Sequence, residues 1–126
     1  MRCYTVTTVA VTLKVPPKWV DNVLSHYRVP GVSQARQGVA RRVTPQGVLI
    51  LEIALRLSRS LDTPIQRALQ VAADISRIGG SEARVTLTPV ATLIVNVAAI
   101  EAETMARLAE AVEFAPVPRR GRPPAK

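Results

Sequence analysis

The feature that most constrains the fold is the succession of two short amphipathic runs and a basic segment over residues 5–45. The run Thr8–Leu13 is followed by Pro16 and Pro17, and a second amphipathic run covers Lys18–Tyr27. Proline is excluded from helix interiors but favoured at the first helical position, so the second helix is expected to begin at Pro17. Two brief helices joined by a tight turn and followed by a basic hairpin are typical of a winged helix-turn-helix.

The two helices and the wing can be placed from the sequence. The first helix is expected from about Thr8 to Lys14, with Thr7 or Thr8 as its cap. The second should end near Tyr27, with Lys18, Trp19 and Asn22 on its outward face, and is the expected recognition helix. The glycine- and arginine-containing stretch 28–43 then supplies the wing, which ends in a strand from Gly38 to Val43.

The later elements are predicted from residues that typically begin or end helices and strands. Thr44 and Pro45 are typical of a helix start, and a fourth helix should begin at Pro64 and end at Gly79–Gly80. Beyond that boundary the sequence predicts a β-hairpin over residues 84–97 and a helix over residues 99–114. The expected fold class is therefore α+β and mostly helical: a winged helix-turn-helix domain (1–78), a β-hairpin plus helix dimerisation segment (81–115) and a disordered basic tail (116–126).

Charge is high and unevenly distributed. Seventeen Lys and Arg against nine Asp and Glu give a formal net charge of +8. Residues 1–78 carry a net of +7, residues 79–115 a net of −3 and residues 116–126 a net of +4. Basic segments of this kind attract polyanions, so double-stranded DNA is the expected partner.

Residues 5–75 resemble the DNA-binding domain of MerR-type regulators and related winged-helix excisionases. The resemblance rests on the pattern from Val9 to Pro17, on Arg41–Thr44 ahead of the third helix, and on the apolar run Leu49–Leu57. It implies that the helix from Pro17 enters the major groove, that the wing contacts the backbone and that a dimer binds a palindrome. The chain departs from the family at Lys14 (often a turn glycine), at Pro16 (often a capping Ser or Thr) and at Asp21 (often an Arg).

The tail adds a second resemblance. The Arg-Gly-Arg-Pro core at residues 120–123 resembles an AT-hook, in which glycine lies on the floor of the minor groove and arginines extend along A·T-rich DNA. A solubilising basic terminus is the alternative. The candidate DNA-binding residues are Lys18, Trp19, Asn22, Arg36, Arg41, Arg42, Arg119, Arg120 and Arg122.

Two of these assignments have a structural alternative. Trp19 can pack into the core instead of stacking on a base. Arg41 and Arg42 are adjacent on a strand and point to opposite sides, so one can reach phosphate while the other braces the fold.

The expected function is that of a sequence-specific transcriptional regulator acting as a cytoplasmic, nucleoid-associated homodimer. The expected dimerisation residues lie in the last helix; they are Ile100, Met105, Leu108 and Val112. This segment either packs on the first domain or pairs with a second copy. The alternatives are an antitoxin or adaptor whose C-terminal segment binds a partner protein, and a phage-type architectural DNA-binding protein.

No enzyme, cofactor or metal centre is expected. His26 is interpreted as a helix-end residue and not as a catalytic base, and one His with the single Cys3 cannot supply a zinc site. No stretch of eighteen uncharged apolar residues could span a bilayer, so no membrane partner is expected.

Overall fold

The part of the chain described by this computed structural model, residues 2–34 and 40–114, is α+β and mostly helical, as the sequence predicts. In chain order its elements are α1 (Val6–Leu13), α2 (Pro17–His26), β1 (Val32–Ser33), β2 (Arg42–Val43), α3 (Pro45–Leu61), α4 (Ile65–Ile78), β3 (Ala83–Thr88), β4 (Ala91–Val95) and α5 (Val97–Phe114). β1 pairs with β2 and β3 pairs with β4, both antiparallel. The predicted contacts Arg36, Arg119, Arg120 and Arg122 lie outside the described residues.

The first helix begins two residues earlier than predicted. Its N-cap is Thr5, not Thr7 or Thr8, because the Oγ1 of Thr5 accepts a hydrogen bond from the backbone N–H of Thr8 at 3.2 Å. The helix ends before Lys14, which adopts the left-handed conformation at φ 60° and ψ 45°. This residue reverses the chain direction within a few residues, so that α2 begins at Pro17 as predicted.

A tight junction joins the wing strands to α3. Thr44 caps α3 by accepting a hydrogen bond from the N–H of Gly47 at 3.2 Å, and its hydroxyl donates to the carbonyl oxygen of Gly31 at 2.9 Å. Gly31 has a φ of +88°, and a Cβ there would lie 2.5 Å from the Oγ1 of Thr44. Tyr4 also exchanges two backbone hydrogen bonds with Val43, at 2.8 and 3.0 Å. The β1–β2 pair is therefore fixed to Tyr4 on one side and to α3 on the other.

The helix α3 is the central column of the core. Val48, Ile50, Leu51 and Ile53 are at most 1% exposed, and α4 packs along one side of the helix. α5 packs on both α1 and α3. Burial of these apolar side chains is the main stabilising contribution to the fold.

A single hydrophobic cluster crosses the predicted domain boundary. Gly79 and Gly80 end α4 with positive φ angles, as expected of helix-terminating glycines. The cluster nevertheless includes Val9 and Ile75 from one side of this boundary and Leu108 from the other. Segment 81–114 thus packs on the N-terminal segment within one chain, which is the first of the two alternatives considered for it.

The last helix begins at Val97 and not at Ala99. Asn96 precedes it, and the Oδ1 of Asn96 accepts a hydrogen bond from the N–H of Ala99 at 3.0 Å. This side-chain bond supplies an N-cap and extends the helix by two residues.

Candidate nucleic-acid interface

The outward face of α2 carries the residues predicted to read bases. Val20 and Val23 are buried, which fixes the rotation of the helix about its axis. Lys18 and Asn22, four residues apart, are both exposed on the opposite side. Their side chains therefore lie on one stripe of a helix whose first turn contains no acidic residue.

Trp19 lies differently from its predicted neighbours. Its side chain is half-buried and packs against the hydrophobic cluster. The structure thus packs this side chain against the core, which is the alternative raised for it from the sequence. Its role in base contact stays a prediction, and only the exposed part of the ring is available for it.

Arg41 bridges the wing to α2. Its guanidinium forms an ion pair with Asp21, with Nη1 to Oδ1 at 3.3 Å, and its Nη2 donates a hydrogen bond to the Oγ of Ser25 at 3.1 Å. The side chain of Arg41 is 21% exposed, so most of it is covered by these contacts. Arg41 therefore holds the wing against the helix.

Arg42 is the wing arginine that faces solvent. It is the first residue of β2 and directly follows Arg41, whose guanidinium contacts α2. The sequence suggested that one of the two arginines braces the fold while the other can reach phosphate. The contacts of Arg41 and the exposure of Arg42 are consistent with this interpretation. Phosphate contact itself is a prediction that now rests mainly on Arg42.

The N-terminal stretch that contains α2 and β2 carries many more cations than anions. Asp21 is the only acidic residue before Glu52, whereas the same stretch holds seven Lys and Arg. The carboxylate of Asp21 is engaged by Arg41, so the departure from the MerR-type pattern at this position brings no unpaired negative charge to α2. Sequence reasoning missed this pair, because the two residues are 20 positions apart and no periodic pattern links them.

A second group of charged side chains, also missed, joins α3 to α5. Glu52 is only 4% exposed; its Oε2 accepts from the Nε of Arg56 at 2.6 Å, and its Oε1 lies 3.8 Å from the Nη1 of Arg107. Glu103 accepts from the Nη2 of Arg56 at 2.8 Å and from the Nη2 of Arg107 at 3.5 Å. The hydrogen bond from Arg56 lowers the pKa of Glu103, and the bond to Glu52 raises the pKa of Arg56. The signal available in the sequence was the four-residue spacing between Glu52 and Arg56 and between Glu103 and Arg107.

The predicted dimerisation residues divide between the interior and the surface of the chain. Leu108 is 2% exposed and belongs to the core, and Ile100 and Met105 are half-buried against it. Val112 is also half-buried. Packing within one chain accounts for Leu108 in full, so a dimer contact would depend on the exposed parts of the other three side chains.

The remaining site classes give no positive finding within residues 2–34 and 40–114. No group of three or more His, Cys, Asp and Glu side chains in these ranges could hold a metal ion. None of the helices described is both long and apolar enough to cross a membrane. Comparison of the chain with protein-family models, with curated proteins and with solved structures gave no match.

Proposed function

We propose that this protein is a sequence-specific DNA-binding transcriptional regulator of the winged helix-turn-helix class that acts as a homodimer. The observation that supports this most directly is the surface formed by α2 and β2. Lys18, Asn22 and Arg42 are exposed there, while Arg41 holds the two elements together. An outward helix face with an exposed lysine, beside a braced basic hairpin, suits the shape and charge of a DNA groove and its phosphates.

Each exposed side chain has a distinct role in this proposal. α2 lies in the major groove, where the Lys18 ammonium donates to guanine acceptors and the Asn22 amide pairs with adenine. Arg42 neutralises a phosphate beside the groove and contributes no base discrimination. The basic tail, with Arg119, Arg120 and Arg122, extends the contact into the flanking minor groove.

Dimerisation places two α2 helices about one helical turn of DNA apart. The exposed parts of Ile100, Met105 and Val112 on α5 are the part of the predicted dimerisation set that remains available. The alternative role, an adaptor that binds a partner through this face of α5, would use the same exposed side chains, because Leu108 is covered within the chain in either case.

The experiment that tests the function is selection from a random duplex pool by the full-length protein at two salt concentrations, followed by sequencing. A palindromic motif is expected, since two copies of α2 would read two half-sites. Salt-sensitive binding without an enriched motif would instead indicate an architectural protein, and no binding at all would contradict the proposal.

Point variants distinguish the side chain proposed to recognise bases from the one proposed to contact a phosphate. Asn22→Ala should change the preferred bases at one position of each half-site, with a discrimination loss of about 1–3 kcal/mol. Arg42→Ala should weaken binding equally on all sequences and lower the salt slope by about one. The matched control is Arg84→Ala, an exposed arginine on β3. Equal effects of the Asn22 and Arg42 variants on base preference would contradict the assigned roles.

A further inference from the structure

A positively charged cleft lies where α1, α3 and α5 meet. Its lining residues include none from α2. It has a volume of about 340 Å³, and Leu13 and Leu55 are its apolar lining residues. The charged lining residues are Lys14, Glu52, Arg56, Arg59, Glu103 and Arg107. The cleft therefore combines four cations with two carboxylates.

The charges in this α1–α3–α5 cleft do not cancel. The two carboxylates are engaged by the guanidinium groups of Arg56 and Arg107. The ammonium of Lys14 and the guanidinium of Arg59 are exposed, and neither forms an ion pair or side-chain hydrogen bond with any residue that the structure describes. Two positive charges are thus left over at the rim of the cleft.

Donor groups are also left over on Arg107. A guanidinium carries five N–H donors. Arg107 lies 3.5 Å from Glu103 and 3.8 Å from Glu52, both at or beyond the limit of a hydrogen bond. The Oε1 of Glu52 is buried and accepts no hydrogen bond from the described residues, which shows that Arg107 has not closed onto it. Most of the N–H donors of this guanidinium are therefore available to a ligand in the cleft.

We propose that the α1–α3–α5 cleft binds a phosphoryl anion through Lys14, Arg59 and Arg107. Guanidinium groups bind phosphate oxygens in a bidentate manner and an ammonium adds a point charge, so this set suits a phosphate group. Lys14 lies three residues before α2 begins, so one residue of the cleft is close to that helix along the chain. The phosphate can belong to the DNA backbone flanking the bases under α2, an assignment that rests on the proposed function, or to a free phosphoryl compound.

The first test is titration of the full-length protein with inorganic phosphate, with sodium chloride at matched ionic strength as the reference. In NMR spectra, the backbone resonances of Lys14, Arg59 and Arg107 and the Nε resonances of the two arginines should shift with phosphate and not with chloride. Arg59→Ala should weaken phosphate binding by roughly three- to tenfold, whereas the exposed Arg84→Ala control should leave it unchanged.

A variant with the opposite expected effect keeps the test independent of folding. Glu103→Gln removes one carboxylate from the cleft and releases donors of Arg56 and Arg107, so phosphate should bind more tightly by roughly three- to tenfold. A general loss of structure cannot produce a gain in affinity. If phosphate gives no localised shifts, or if Arg59→Ala and Glu103→Gln change its affinity no more than Arg84→Ala does, the proposal is overturned.

DNA binding then identifies the source of the phosphate. If the DNA backbone supplies it, Arg59→Ala should lower the salt slope by about one on a duplex that extends beyond the selected motif. No change on that duplex, together with weakened phosphate binding, supports a free phosphoryl compound. Phosphate binding by a protein that binds no DNA would contradict the proposed function and leave the anion site standing.

Discussion

At the scale of single residues, the position of the wing depends on Gly31. Its φ of +88° is in the left-handed region, and its carbonyl oxygen accepts two hydrogen bonds from Thr44, the residue that caps α3. Gly47 faces the same junction: a Cβ on it would lie 3.1 Å from the carbonyl oxygen of Gly31. A glycine inside the first turn of a helix is locally unfavourable, and this close approach of two backbones explains it.

Gly31→Ala should destabilise the protein by about 3 kcal/mol, because it adds left-handed backbone strain to a steric clash with Thr44 and Gly47. Gly80→Ala is the matched control: Gly80 also has a positive φ, but a Cβ there would meet nothing within 4 Å. That control should lose only about 1 kcal/mol. Urea unfolding of both variants measures the difference. Equal losses would show that the junction does not constrain the wing.

At the scale of elements, the attachment of α5 to α3 depends on pH. Arg56 donates a hydrogen bond to Glu103 and lowers the pKa of this carboxyl group. A carboxyl whose pKa is lower in the folded state contributes stability above its unfolded pKa of about 4.3, and this contribution is lost as the pH falls through the folded value. Because Glu103 is exposed, the effect is small and sensitive to salt.

Glu103→Gln should therefore lower the urea midpoint at pH 7 and should cease to differ from the parent protein as the pH falls below about 4. Glu101→Gln is the control on the same helix, since Glu101 is exposed and outside the charged cluster. Urea unfolding at stepwise lower pH measures the difference. A gap between Glu103→Gln and the parent that stayed constant down to pH 3 would contradict the assigned role of this ion pair.

The elements also show which parts of the molecule the sequence predicts. Pro17 and Thr44 mark helix starts through local chemistry, and the structure confirms both positions. Thr5 was missed as a cap because three nearby threonines satisfy the same local rule and only packing selects among them. The burial of Glu52 and the Asp21–Arg41 pair depend on contacts between elements, which hydrophobic periodicity does not encode. The outward face of α2 was accessible to prediction, and the cleft beside α5 was not.

At the scale of the whole molecule, the hydrophobic cluster that crosses Gly79–Gly80 predicts cooperative unfolding. Leu108→Ala should destabilise the chain by about 2–5 kcal/mol, the usual loss on truncating a buried leucine. Trp19 is the only tryptophan in the chain, so its fluorescence reports on the N-terminal segment. That fluorescence and the far-ultraviolet circular dichroism should shift together. If Leu108→Ala left the Trp19 transition in place, the two segments would be independent domains.

The bond between Arg41 and Asp21 also affects how this surface can change over evolutionary time. A replacement of Asp21 alone would leave the guanidinium of Arg41 without its acidic partner, and a replacement of Arg41 alone would leave the carboxylate of Asp21 without its cation. Either single change damages the surface, whereas an exchange of both preserves the attraction between wing and helix. Positions 21 and 41 are therefore expected to covary, whereas under the proposed function Lys18 and Asn22 are expected to vary with the DNA sequence.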